Sequence, residues 1–379
     1  MTIDTPYRAI FCDLLTDQTL DILPLRDVSF DDYIGKAGSL SGTIPIPDEA
    51  IAERVKKVRE GRTAVYLERG GDLWWGGIVW TTTLQSSGRG VLTLGIQAAT
   101  FDSYAGRRRI RTDITYDTPT QQLVIARRLW AELDVQTYPG DPDAENPKRL
   151  GISFGDEVPR KPEVKRTVSW RRGDETVYLD ALNQIAEMQD GFEHQILVYR
   201  DPVSGQRIRQ LRLGEPKIVN GSTDLLFDRP GVILSYSFPY DATRGATTAV
   251  ARGASANGNA AQESRPLYGK EQYRSELLAD GWPLIDLSSD HNEVTDELAL
   301  EALASAELNQ VMGAVVIPAI TIHLGGIVPP ALIGRMARIR IHDEWFAQGL
   351  DARYRIIGVK VTPPERGRSD TAELYLEES

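Results

Sequence analysis

Arg338-Ile-Arg-Ile341, Tyr354-Arg-Ile-Ile-Gly-Val-Lys-Val361 and Ala372-Glu-Leu-Tyr-Leu376 are three alternating or β-branched runs separated by turn-rich segments. Their period of two predicts an antiparallel meander. The N-terminal part carries a similar plan: Thr63-Ala-Val-Tyr-Leu67, a turn at Gly70-Gly-Asp72, a run over 74–84, the turn Ser86-Ser-Gly-Arg-Gly90, then Val91-Leu-Thr-Leu94. Within it, Ile78-Val79 leads to Gly88-Arg89 and 91–94, as Ile356-Ile357 leads to Gly367-Arg368 and 372–376. The shared outline predicts two copies of one sheet module, one near each end.

Working outward, 379 residues exceed what one hydrophobic core usually supports and predict two to four units. A hydrophobic content of 41% against 26% charged is ordinary globular composition, and no apolar run approaches the ~20 residues a membrane span needs. The first residues, Met1-Thr-Ile-Asp-Thr-Pro-Tyr7, lack the basic and apolar regions of a signal peptide. The single cysteine, Cys12, excludes an intrachain disulfide and reads as a small strand residue suited to a reducing cytoplasm. A net charge of −11 argues against sequence-independent nucleic-acid binding, although an acidic wall suits a passage along which DNA slides.

Along the chain, strands are expected at 8–15, at 20–23 and at 39–46, the last at a sheet edge because Pro45 and Pro47 lack a ladder donor. Asp48 caps a short helix with Ile51, Val55 and Val58 at helical spacing and Gly61 after it. Thr118 with Pro119 opens a second helix carrying Leu123, Ala126, Trp130 and Leu133 on one face. Residues 137–163 read as an exposed loop, 174–189 as a helix, and 192–199 with 207–213 as a hairpin across Asp201-Pro-Val-Ser-Gly205. Strands follow at 225–227, 232–238 and 247–251; then come a Gly/Ala-rich tip at 253–261, a helix at 297–309 and a strand at 315–324.

Sites of chemistry are sparse. Gly151-Ile-Ser153-Phe-Gly155 has the G-x-S-x-G spacing of a hydrolase elbow, but Pro147, Pro159 and Pro162 deny it the flanking strand and helix. Asp141, Asp143 and Glu145 start like a calcium loop, yet Asn146 stands where glycine is needed and Ile152 where a bidentate glutamate is needed. His194, His291, His323 and His342 have no metal-ligand spacing, and Asp31-Asp32 and Asp343-Glu344 are adjacent residues whose side chains point apart. Trp74 and Trp80 share one strand parity and Trp75 has the opposite one, so core packing of one sheet face explains most of them, and Arg107-Arg-Arg-Ile-Arg111 reads as a solvated boundary loop. Glycine-rich 253–258 lacks the Gly-Lys-Ser/Thr of a phosphate loop, and Asn220-Gly-Ser222 is a sequon that matters only on export. No catalytic, cofactor-binding or metal residue is expected, and no cofactor.

The order of elements resembles the tail hub, or minor tail, proteins of long-tailed phages and their relatives in contractile baseplates. The resemblance rests on Gly38-Ser-Leu-Ser-Gly-Thr-Ile44, Trp74-Trp-Gly-Gly-Ile-Val79, 94–104 with Arg107 after it, Asp190-Gly-Phe-Glu193 and Tyr354-Arg-Ile-Ile-Gly-Val359. It implies a β-rich α+β fold of two tail-tube-like β-barrel domains with small α/β insertion domains. The division would be a first barrel at 1–106, an α/β insertion at 107–215, a second barrel at 216–262 with 311–379, and a helical insertion at 263–310.

The same resemblance implies a non-enzymatic structural protein of the virion tail tip, made and assembled in the host cytoplasm. A homotrimer would place six barrels on the sixfold tube and enclose the end of the DNA channel used in genome ejection. Its partners would be a distal tail protein, a tape measure protein and tip or receptor-binding proteins, with DNA only in transit and no membrane segment. Two rivals differ in class: a cell-wall-degrading or carbohydrate-binding tail component, which needs an acid pair or metal site, and a hexameric distal tail protein, separated by copy number.

Overall fold

A computed structural model describes residues 7–88, 90–155, 162–188, 190–255, 265–291, 294, 296–311, 315–316, 318–362 and 370–378. The chain forms two units, Met1–Tyr236 with Ala319–Ser379, and Ser237–Pro318.

The first unit is built on a 13-stranded sheet. From Ile233–Ser237 the strand path runs through Ala319–His323 and Thr371–Glu378 to Leu350–Thr362, from which Arg335–Ile341 and then Asn220–Arg229 branch. Beyond Leu350–Thr362 it continues through Arg26–Tyr33, Ser39–Ile46, Leu92–Thr100, Asp72–Ser86, Thr63–Arg69 and Arg8–Asp13 to Thr19–Leu23. Both stretches read from sequence as meanders are meanders. The fold is strand-rich as expected, but no ring of paired strands closes among the described residues, and the ladder draws one continuous sheet.

Several sequence readings change. Ser39–Ile46 is an interior strand, paired with Arg26–Tyr33 on one side and Leu92–Thr100 on the other. Pro45 is tolerated because the ladder to Arg26–Tyr33 ends at Thr43, so the missing N–H falls where no neighbour asks for it. Pro119 lies in the strand Ile114–Gln121, opposite a register shift between Arg166 and Val168, and the helix starts only at Gln122. The 137–163 stretch contributes Ile152–Phe154, which pairs in parallel with Arg207–Gly214. The short helix Glu49–Val55 follows the reading, with the Asp48 carboxylate accepting the Ile51 N–H at 2.9 Å.

The middle segment shares its core with the N-terminal sheet. The helix Gln122–Asp134 buries Leu123, Ile125, Ala126, Leu129, Trp130 and Leu133 completely, in one cluster with Ile10, Cys12, Ala64 and Tyr66. Close approach is permitted by Gly76: a Cβ there would meet the Tyr66 ring at 2.8 Å and Val198 at 3.0 Å. Burial raises the Cys12 thiol, as a structural cysteine requires.

In the second unit, Thr248–Ser255 is the central strand, flanked by Pro266–Tyr268, Gln272–Tyr273 and the parallel Asp286–Asp290. The division that the resemblance implies puts 247–251 in the second barrel. Ala249 and Ala251 instead face Leu300, Ala304 and Leu308 of the helix Glu297–Gln310. A Cβ on Gly253 would stand 2.7 Å from Leu300, so small side chains here admit the helix. Residues 256–261 of the Gly/Ala-rich tip, like Arg89, Gly367 and Arg368, lie outside the described residues.

Candidate assembly interface

The two ends of the sheet repeat one plan. Thr63–Arg69, Asp72–Ser86 and Leu92–Thr100 form one meander, and Arg335–Ile341, Leu350–Thr362 and Thr371–Glu378 the other. Each last strand pairs antiparallel with the strand that precedes its meander in its module, Ser39–Ile46 or Ala319–His323. Those two strands in turn neighbour Arg26–Tyr33 and Ile233–Ser237. Each long central strand carries one bulge toward the last strand, between Val79 and Thr81 in one and between Ile356 and Gly358 in the other. Trp80 therefore corresponds to Ile357, one residue away from the alignment read in the sequence. The modules differ in their outer strand: Arg8–Asp13 pairs antiparallel with its meander, Asn220–Arg229 parallel.

Just beyond the second bulge, the outer edge of the long strand is occupied. Gly358, Val359, Lys360 and Val361 pair antiparallel with Tyr33, Asp32, Asp31 and Phe30. The joint is tight: a Cβ on Gly358 would fall 2.2 Å from the Tyr33 ring, and the Ile34 N–H donates to the Ile357 carbonyl at 2.9 Å. The Trp75 indole N–H donates to the Asp31 carbonyl at 2.9 Å, tying the joint back to the first meander. Val359 and Val361 are buried by this arrangement.

The corresponding edge of the first module is open. No strand among the described residues pairs with 81–86 on the side away from Leu92–Thr100, and Leu84, at the position of Val361, is 66% exposed where Val361 is 0%. The strand that matches the filling segment, Ile233–Ser237, ends the strand path, and Leu234 on it is 39% exposed. Both edges, Thr81-Thr-Thr-Leu-Gln-Ser86 and Ile233-Leu-Ser-Tyr-Ser237, lack charge and proline. Edges meant to stay unpaired are normally blunted by such residues.

Buried arginines fasten the middle segment to both modules. Arg209 donates from Nε to the Tyr66 hydroxyl at 2.8 Å, from Nη1 to the Leu14 and Leu150 carbonyls, and from Nη2 to Asp17 at 3.0 Å. Arg355 engages the carboxylates of Glu193 and Glu377 and the Ile218 carbonyl. Beside the joint, burial raises the Asp102 carboxyl, which is bonded to the Thr100 hydroxyl. Asp32 is held well above its ordinary range by burial and, next, by the Asp102 charge.

The residues singled out for chemistry do not converge. The Ser153 hydroxyl donates to the Arg209 carbonyl at 3.2 Å. Ser153→Ala should lose about 1 kcal/mol or less, with expression and folding unchanged; a larger loss in a urea titration would contradict this reading. Asp31 accepts from Ser39, and Asp32 from Tyr33 and Gln195, while Asp343 closes its own turn at Trp345 and Phe346. Asp141 accepts from the Asp143 N–H in a local turn. His194 is buried and His291 meets Glu307 at 2.9 Å; no group of metal ligands exists among the described residues. Trp74 and Trp75 are both buried because Leu73 to Val79 is covered on both faces, while the Trp80 indole donates to Ser103 at 2.9 Å. The Asn220 amide donates to the Ile333 carbonyl at 2.5 Å. The open edge was missed in the sequence; its signal is the uncharged run 81–86 inside an otherwise charged chain.

No protein-family model matches the chain, and no curated protein matches it. Among solved structures it is similar to the 43 kDa tail protein of prophage MuSo2 from Shewanella oneidensis: TM-score 0.61, 10% identity, covering 98% of each chain. A tail protein from Neisseria meningitidis MC58 matches with TM-score 0.57 and 14% identity over 99% of this chain and 97% of that one. A prophage tail protein from Listeria monocytogenes EGD-e gives 0.53 and 14% over 98% and 95%. The chain has the fold of phage and prophage tail proteins, and the resemblance drawn from its sequence stands at that level.

Proposed function

We propose that this chain is a structural, non-enzymatic component of a phage tail tip: a hub whose homotrimer adapts the sixfold tube to a threefold tip. The observation that carries the reading is the contrast between one filled and one open edge. Inside the chain, 30–33 of the first module completes the edge 358–361 of the second. The equivalent completion of 81–86 needs a strand equivalent to Arg26–Tyr33; Ile233–Ser237, which ends the strand path of this chain, would supply it from a second copy. Such a contact is heterologous, and a closed ring of three copies, each supplying two like modules, would make six quasi-equivalent positions. The two tube-like domains would then be the Arg8–Thr100 region and the strands Asn220–Arg229, Ile233–Ser237 and those from Ala319 onward.

In this reading the ring lies at the virion tail tip and encloses the DNA channel, between a distal tail protein, a tape measure protein and tip or receptor-binding proteins. An acidic chain of net charge −11 suits DNA in transit, which must not adhere.

Leu84→Arg and Leu234→Arg are each expected to abolish ring formation on tail templates. Both side chains are exposed in the single chain, so the unfolding free energy should move by only about 0.5 kcal/mol. Cryo-imaging of intact tails is expected to show three copies at the end of the tube. Six copies per ring, or a position remote from the tube end, overturns the proposal.

A further inference from the structure

The arginine cluster 107–111 is not a uniformly solvated loop, and its members divide by task. The Arg107 guanidinium lies 5.1 Å from the Trp80 ring. Arg108 donates from Nη1 to the carbonyls of Glu132, Leu133 and Val135 at 3.1, 3.0 and 2.9 Å, satisfying the C-terminal end of the helix Gln122–Asp134. Arg109 forms an ion pair with Glu175. Arg111 has no side-chain hydrogen bond or ion pair among the described residues, and neither has Lys148 across the cleft.

Two adjoining hollows of about 590 and 670 Å³ share Arg108, Arg111, Thr137 and Tyr138 in their walls. Arg107 and Lys148 line the first, so four cationic side chains converge on one concavity of a chain with net charge −11. Concave surfaces focus such charge, and a guanidinium fork fits a carboxylate in two parallel hydrogen bonds. Tyr138 is 59% exposed between the hollows and offers an amphipathic face of the kind enriched at protein interfaces. Asp141 and Asp143 stand in the same wall, with Glu132 in the second hollow. They interrupt any track that a continuous phosphate backbone would follow, yet they leave room for one or two carboxylates.

We propose that this cleft receives an acidic segment of a partner protein, an aspartate or glutamate being held by Arg111 and Lys148 with a neighbouring side chain against Tyr138. The proposal stands apart from the trimer contact at 81–86.

The test uses the full chain with fluorescein-labelled hexaglutamate as the carboxylate probe and a labelled ten-nucleotide oligothymidylate as the phosphate probe, in low salt. Binding of hexaglutamate is expected to weaken at least about tenfold in the double variant Arg111→Gln with Lys148→Gln. A control with the same loss of charge, Arg265→Gln with Lys270→Gln, should stay within about twofold of the original. Equal weakening in both double variants means that net charge alone is read, and it overturns the site. Tighter binding of the oligothymidylate assigns the cleft to nucleic acid, and no hexaglutamate binding at about 1 mM removes it; both outcomes also overturn the proposal.

Discussion

Arg209→Met is expected to cost about 2–5 kcal/mol, because it removes a buried guanidinium from the two buried main-chain carbonyls that it satisfies. The guanidinium is 4% exposed and sits 4.3 Å from the Phe101 ring, with its donors committed to Tyr66, Leu14, Leu150 and Asp17. Methionine can fill the stem but leaves the Leu14 and Leu150 carbonyls facing an apolar chain. Each orphaned buried acceptor costs about 1–3 kcal/mol, whereas Asp17 keeps Arg207 and Tyr66 as donors. Arg209→Lys should fall between, since an ammonium keeps the charge but cannot span four acceptors with a planar fork. The unfolding midpoint in urea, followed by tryptophan fluorescence, reads this directly, because Trp74, Trp75, Trp130 and Trp170 are all buried in the first unit. A loss under about 1 kcal/mol would mean that the middle segment is held to the first module by its apolar core alone.

That residue also shows what the sequence could not reveal. The meanders were legible because period-two alternation and turn glycines are local signals, and the strands came out where the pattern put them. Pairing partners are not local. Nothing in Arg207-Ile-Arg209 announces that the second arginine points inward, since both lie on one face by parity. Arg209 goes in because Tyr66, Leu14 and Leu150 supply acceptors from distant positions. Pro45 misled for the same reason: its edge character depends on where the neighbouring strand stops, at Thr43. The open edge at 81–86 becomes informative only once its counterpart at 358–361 is seen filled, a comparison between two places that sequence aligned one residue out of step.

The second large effect is a loss of stability in mild acid that His194 controls. Its ring is 2% exposed, lies 6.2 Å from Trp130 and 6.1 Å from Phe192, and finds no hydrogen-bond partner for either nitrogen. Burial alone pushes its pKa down to about 4, against 6.5 for a free imidazole. Between those values the unfolded chain binds a proton that the folded chain refuses. Stability therefore rises with pH across this window: the contribution is complete above about 6.5 and is lost progressively down to about 4. A fall from 6.5 to about 4 corresponds to roughly 3 kcal/mol from this one group. His194→Leu has similar volume, leaves no nitrogens to orphan, and does not disturb the main-chain bond from Gly35 N–H to the carbonyl of residue 194. The variant is expected to match or exceed the parent at pH 7 and to hold its midpoint better at pH 4.5. The two proteins differ in no other ionisable group, so the difference between the two urea profiles isolates the imidazole. Parallel profiles from pH 7 to 4 would show that the ring finds a proton acceptor in the folded chain and is not buried neutral.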